Sequence, residues 1–265
     1  MHWHCHSLFH RMPRGAVAGG IAVVIDVLRA STTIITALAH GATRVRPVLS
    51  IDEARAAATA PTGGPRPLLG GERGGLRIDG FDLGNSPLEY TPSRVAGRPL
   101  VITTTNGTAA LQACLPATEV VIGAIVNRAA VATRARDLGC QHGIQDVHLV
   151  CAGTDGEVTQ EDLLAAGAIL DAAAHLPGAG SDTLDAAAMA ARDLFRNTVS
   201  TVSLTAAEAI AAFFTKTLGG SNLITLGMQA DLSAAAMIDS FPLVPRLDRG
   251  SYAVAWLVAD PPNLG

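Results

Sequence analysis

Asp26 stands directly after a continuous apolar run, Ile21-Ala-Val-Val-Ile25, and Arg29 follows three residues later, ahead of Ser31, Thr32 and Thr33. A carboxylate at the end of a buried strand is costly unless it is paired or binds a metal. Asp26 is therefore a candidate catalytic carboxylate or metal ligand; the alternative is a carboxylate satisfied by backbone N–H groups or by an ion pair with Arg29. Arg29 presents a planar fork suited to an oxyanion. Ser31 and Thr32 either bond a ligand oxygen or cap the helix that follows. Three more segments repeat this layout. Pro67-Leu-Leu69 leads into Gly70-Gly71-Glu72-Arg73-Gly74-Gly75, Pro99-Leu-Val-Ile102 into Thr103-Thr104-Thr105-Asn106-Gly107-Thr108, and Val147-His-Leu-Val-Cys151 into Ala152-Gly153-Thr154-Asp155-Gly156. Glycine lets a backbone approach a ligand closely. Hydroxyls and early-helix N–H groups at Thr105, Asn106, Gly107 and Thr108 form the sharpest candidate anion nest. Asn85 and Ser86, just before Pro87, offer further oxyanion donors or a plain turn. The pattern predicts a small, strongly anionic ligand held in one electropositive crevice.

Other signals exclude chemistry. Cys151 ends an apolar run, but no Arg follows within residues 152–158 to cradle phosphate, so it reads as a buried thiol. Thr159-Gln-Glu161-Asp162 resembles a capping box with Asp in the last place, or a carboxylate pair facing a metal. There is no Gly-x-x-x-x-Gly-Lys-Ser/Thr loop, no Gly-x-Gly-x-x-Gly after a strand and no Gly-x-Ser-x-Gly elbow. His40, His142, His148 and His175 read as lacking partners and as non-catalytic. The start, Met1-His-Trp-His-Cys-His, reads as a short edge strand with surface histidines rather than a metal site.

Placing these loops takes a layered fold. The 265 residues are 49% hydrophobic and 16% charged, enough for a sizeable core. A net charge of -4 gives no general attraction to nucleic acid or anionic membrane. The four cysteines are widely spaced, with no Cys-x-x-Cys, and no apolar run is long enough to span a bilayer, which reads as a cytoplasmic chain. Strands are predicted at 21–27, 44–49, 100–103, 120–122, 147–151, near 243 and at 252–258. Helices are predicted from Ser31, Asp52, Asn106 (as cap), Arg128 and Thr159. Residues 61–65 end the second helix, and residues 70–92 read as a long functional loop. Residues 182–238 show helical spacing broken at Gly219-Gly220. The alternation predicts one α/β domain over residues 1–265, a three-layer α/β/α sandwich around a mostly parallel, mixed sheet, with a helical subregion near 182–238. Its alanine-rich helices suit a homodimer face as well as a buried layer.

Taken together, Val24-Ile-Asp26-Val-Leu-Arg29-Ala-Ser31-Thr-Thr, Gly70-Gly-Glu72-Arg73, Gly80-Phe-Asp82-Leu-Gly-Asn85-Ser86-Pro, Thr103-Thr-Thr-Asn106-Gly-Thr108 and Cys151-Ala-Gly153 with Glu161-Asp162 resemble the 2-phosphosulfolactate phosphatases, in order and spacing from about Ala22 to Arg249. The histidine-rich start departs from that pattern. The resemblance implies a magnesium-dependent phosphatase that converts 2-phosphosulfolactate to sulfolactate and phosphate, a step of coenzyme M synthesis. It makes Asp26, Arg29 and Arg73 candidate catalytic residues. Ser31, Thr32, Asn85, Ser86, Thr105, Asn106, Gly107, Thr108 and Gly153 become candidate substrate ligands. Asp26, Glu72, Glu161 and Asp162 become candidate ligands of Mg2+. Water attack assisted by the metal and a covalent route through Asp26 both stay open. So do a different small phosphorylated acid or sugar phosphate as substrate, and a non-catalytic sensor of a phosphorylated metabolite.

Overall fold

The apolar run Ile21–Ile25 is buried along its whole length because helices cover both faces of its strand. The computed structural model describes residues 1–59, 64–200, 203–249 and 255–260. In chain order its elements are β1 (His2–His6), β2 (Ile21–Ile25), α1 (Ala30–Ala39), β3 (Arg44–Pro47), α2 (Ile51–Thr59), β4 (Leu68–Arg73) and β5 (Leu76–Arg77). Then come α3 (Pro92–Val95), β6 (Pro99–Thr103), α4 (Gly107–Ala113), β7 (Glu119–Ile122), α5 (Arg128–His142), β8 (Asp146–Cys151) and α6 (Gln160–Ala173). The last third holds β9 (Thr183–Leu184), α7 (Ala186–Val199), α8 (Ala206–Phe214), α9 (Leu218–Thr225), α10 (Ala230–Ala235), β10 (Val244–Asp248) and β11 (Trp256–Asp260).

The strands form one sheet in the order β5-β4-β6-β3-β11-β10-β7-β2-β8-β1-β9. Side chains alternate across it. Val24 and Ile122 face Ala30 and Ile34 of α1 and Leu111 of α4, whereas Val23, with Gly123, meets Val131 of α5 and Ile169 of α6. The α/β sandwich expected from the sequence is present. A second, smaller core packs Ala54, Ala57 and Ala58 of α2 on Leu69 and Val101.

The sheet departs from a simple open parallel one. Strands β3, β4 and β6 are mutually parallel, as are β7, β2, β8, β1 and β9. The antiparallel pair β10–β11 joins the two groups through antiparallel contacts to β7 and β3, so the groups run in opposite directions. In a flat sheet the loops after β4 and β6 would leave the opposite edge from those after β2 and β8. Twist of roughly 20–25° per strand pair, accumulated between β6 and β2, swings the two sets toward each other.

Several local expectations change. Gly70–Arg73 is strand, not loop: β4 continues through both glycines because Gly70 and Gly71 pair with Ile102 and Thr103. The 70–92 segment also holds a short hairpin to β5. Gly219 and Gly220 do not break a helix but open α9. β1 is not the edge strand, since β9 lies outside it. The ending of α2 at residues 61–63, and Tyr252 to Val254 of the last predicted strand, lie outside the described residues; β11 begins at Trp256. Among the described residues, no helix is long and apolar enough to cross a membrane.

Capping divides the helices. In the helical region, Asp185, Thr205 and Thr217 each accept a first-turn N–H of α7, α8 and α9. Helices α1, α4 and α6, which follow the strand ends, have no side-chain cap. Asn106 and Thr159 occupy cap positions without capping, and the expected box at Thr159 is absent because Asp162 is drawn elsewhere.

Candidate active site

The ends of β2, β4, β6 and β8 meet at a crevice of about 370 Å3. Asp26, Leu28 and Arg29 line it after β2, Glu72, Gly74 and Gly75 at β4, Thr105 and Asn106 after β6, and Thr154 and Asp155 after β8. Asn85 adds to this wall, and α9 closes the other side with Gly219, Asn222, Leu223 and Thr225, followed by Leu226. Sequence reasoning missed the contribution of α9: it lies far along the chain and carries no motif.

Asp26 is buried at the centre. Its Oδ1 accepts the Ala30 N–H at 3.3 Å, and its own N–H donates to the Ser31 hydroxyl at 2.9 Å. Burial, then the Glu72 carboxylate, push the Asp26 carboxyl from 3.8 up to about 7. Gly107 is glycine for a plain reason: a Cβ there would lie 2.6 Å from Asp26 Oδ2. Glu72 sits in the predicted anion nest itself. Its Oε1 accepts the Thr105 N–H at 2.8 Å and the Thr105 hydroxyl at 3.0 Å, while Oε2 accepts the Gly75 N–H at 2.8 Å. Within the expected nest, Thr105 thus bonds a carboxylate of the chain's own.

Two acidic residues of α6 stand behind Asp26. Asp162 accepts the Val27 N–H on Oδ1 and the Gly153 N–H on Oδ2, both at 2.9 Å, tying the loops after β2 and β8 together. Glu161 accepts the Gly219 N–H at 2.8 Å on Oε1, while Oε2 is buried without a partner. Gly219 leaves no room for a Cβ against that carboxylate. Burial raises the pKa of Glu161, and burial with the neighbouring Asp26 raises that of Asp162.

The basic residues are committed differently from the sequence expectation. Arg29 pairs not with Asp26 but with Asp231 of α10 at 2.8 Å, and it donates to the Gly75 carbonyl at 2.7 Å. Asp231 also accepts the Ser86 hydroxyl at 2.6 Å, so Ser86 supports the Arg29 anchor. Arg73 is not among the crevice-lining residues. It donates to the Glu72 carbonyl at 2.7 Å, to Thr103 Oγ1 at 3.0 Å and to the Leu49 carbonyl at 3.3 Å, clamping β4 to β6. Thr32 and Thr108 donate their hydroxyls to the carbonyls of Val27 and Thr104. The side chains left open to the crevice are amides. Asn85 Oδ1 is buried and unpaired, and neither Asn106 nor Asn222 has a side-chain hydrogen bond among the described residues.

The crevice is thus acidic rather than electropositive: Asp26, Glu72 and Asp155 line it against Arg29 alone. Crowded carboxylates around a cavity suit a cation. Among the described residues, no group of three or more His, Cys, Asp or Glu side chains is placed to enclose a metal. Magnesium does not require one, since it commonly takes one or two carboxylates and completes its shell with water and phosphate oxygens. Asp26, Glu72 and the unpaired Glu161 Oε2 fit that mode; Asp162 fits it less, with a backbone N–H on each oxygen.

The sequence matches the 2-phosphosulpholactate phosphatase family over residues 8–250. It is 41% identical to a probable 2-phosphosulfolactate phosphatase of Symbiobacterium thermophilum over 243 residues, 91% of this chain and 97% of the relative. It is 39% identical to one of Synechococcus sp. (strain RCC307) over 250 residues, 91% and 96% of the two chains. A third, of Deinococcus radiodurans, is 40% identical over 232 residues, 87% and 88%. With its strand-end loops gathered on one acidic crevice and this likeness running through nearly its whole length, the chain belongs to the 2-phosphosulpholactate phosphatase family.

Proposed function

We propose that the protein is a magnesium-dependent phosphoric monoester hydrolase acting on small anionic phosphoesters, with 2-phosphosulfolactate, cleaved to 3-sulfolactate and phosphate, as the substrate its relatives' names supply. The observation that supports this most is the convergence of the loops after β2, β4, β6 and β8 on Asp26, whose carboxyl stands at about 7. A buried carboxyl whose pKa lies near 7 is suited to take a proton from an attacking water. Asp26, with Glu72 or Glu161, would hold the magnesium, which when bound polarises the phosphoryl oxygens. Arg29, fixed by Asp231 and the Gly75 carbonyl, meets the charge that develops on those oxygens. Arg73 and Asp162 keep the strand ends in register, and Asn85 and Asn106 offer neutral donors to the ester. Unpaired cysteines fit a cytoplasmic setting.

The test is phosphate release from 2-phosphosulfolactate by the purified full chain, with magnesium and after chelation. Release that needs magnesium and returns on its addition is the expected result. Release undiminished by chelation would remove the metal from the proposal, and binding without release over hours would make the protein a sensor.

A further inference from the structure

A ligand with several anionic groups needs well-aimed donors, and in the resting crevice the best aimed are already in use. The Arg29 guanidinium bonds Asp231 and the Gly75 carbonyl. The Thr105 N–H, the Thr105 hydroxyl and the Gly75 N–H converge from the loop after β6 and the β4–β5 turn, and all three bond the Glu72 carboxylate. Glu72, Gly75 and Thr105 all line the crevice, so this donor set borders the space an ester would enter. Two oxygens bracketed by three donors is an arrangement that a carboxylate, sulfonate or phosphate group of a ligand can equally use.

The donors do not depend on Glu72 for their places. Gly74 and Gly75, between the paired Arg73 and Leu76, take φ of 59° and 80°, the positive values that a two-residue hairpin turn requires at both central positions. Arg29 holds the Gly75 carbonyl of that turn at 2.7 Å. Thr105 follows shortly after Thr103, which pairs with Gly71 in the sheet and takes a hydrogen bond from Arg73. The set would therefore outlast the departure of the carboxylate it holds, and only the Glu72 side chain must turn to open it.

Resting on the hydrolase reading above, we infer that Glu72 is a built-in stand-in for the ligand: an oxyanion of the ester displaces its carboxylate and takes over the donors of Thr105 and Gly75. Once displaced, that carboxylate is free to join Asp26 at the magnesium proposed there. An acidic lining and a polyanionic ligand are reconciled in this way, because the crevice holds off an anion until its own carboxylate gives up the donors. The exchange is one of hydrogen bonds alone and involves no covalent step.

The test is calorimetric titration of the full chain, in chelator, with inorganic phosphate and separately with 3-sulfolactate, in the parent and in Glu72→Ala. Opening the donor set is expected to tighten at least one of the two by tenfold or more, and the one that gains identifies the end of the ester that the set receives. Asp155→Asn removes one negative charge from the same lining without touching those donors, and Asn tolerates the positive φ of residue 155. It is expected to change either affinity less than threefold. Glu72→Gln, isosteric and uncharged, offers the two N–H groups only one acceptor oxygen. It is expected to gain at least threefold, and it carries the test should Glu72→Ala fail to fold. No gain in either Glu72 variant, or an equal gain in Asp155→Asn, overturns the inference. Phosphate release from 2-phosphosulfolactate by the parent with magnesium is measured alongside. Its presence leaves the hydrolase reading standing when the titrations fail, and its absence overturns that reading whatever they give.

Discussion

The carboxylates around Asp26 and the imidazoles around His148 are both crowds of like groups taken out of water, but the first surrounds a cavity and the second fills its own space. Asp26 and Glu72 line an open crevice, with Glu161 buried behind Asp26. His148 is stacked against His4 and His6, with ring centroids 4.8 and 5.3 Å away, and its Nδ1 lies 3.1 Å from His6 Nε2. Packing against Gly20, where a Cβ would meet the His148 ring at 2.8 Å, leaves that group no room for a ligand. Asp146 and Asp185, bonded to or near His4, partly offset any charge there. Burial raises the pKa of Asp26 and Glu161 and lowers those of His6 and His148. The crevice keeps space for a cation that can restore its charge. His6 and His148 are biased toward the neutral form, and their packing is structural. The expectation that His148 has no partner fails for the same reason: its partners come from β1, far away in sequence.

The sharpest way to break this comparison is Asp26→Asn. Loss of at least a thousandfold in kcat/KM is expected, because the proposed base and a proposed metal ligand would be removed together. Near-parental activity would refute the site. The same change is expected to stabilise the metal-free protein at pH 8. With Asp26 raised from 3.8 to about 7, the folded state holds a proton that the unfolded chain releases, so stability is full below pH 3.8 and is lost as pH rises through 7. Thermal melts without metal should fall between pH 5 and 8 in the parent, recover with magnesium, and fall less in the variant, by a difference on the order of 1–3 kcal/mol. An equal fall in both would show that Asp26 is not the titrating group.

Next in size is Asp231→Asn. Arg29 keeps a hydrogen-bond partner there but loses its charged anchor. A drop of about 10- to 100-fold in kcat is expected, with KM changing less, if Arg29 acts mainly in the transition state. A change confined to KM would make Arg29 a ground-state binder.

The smallest effect belongs to the other cluster. Burial first, then His4 and His6, hold His148 at about 4 instead of 6.5. A base depressed on folding gives stability that is present above pH 6.5 and lost as pH falls toward 4. His148→Phe keeps the stack and removes the titration, so acid unfolding should move down by a few tenths of a pH unit while activity at neutral pH is unchanged. A large loss of activity in that variant would mean that the two clusters communicate.

Much of the fold is legible in local pattern. The run Ile21–Ile25 and the apolar part of Val147–Cys151 can hardly be anything but buried strand, and the polar segments after them mark strand ends. The less legible parts involve partners remote along the chain. Arg29 and Asp26 are three residues apart, so a local reading pairs them; the fold supplies Asp231, some 200 residues on, and leaves Asp26 to the cavity. Three threonines before Asn106 do signal an anion nest, but only tertiary packing delivers Glu72 into it.

The sequence by itself determined the alternation of strand and helix, the family, and which loops carry polar groups, because hydrophobic period and turn chemistry act over a few residues. Only the tertiary structure decided that the two parallel groups run opposite ways and still meet, that α9 walls the crevice, and that its net character is acidic. Charge balance and cavity shape are sums over side chains hundreds of residues apart, and no local window contains them.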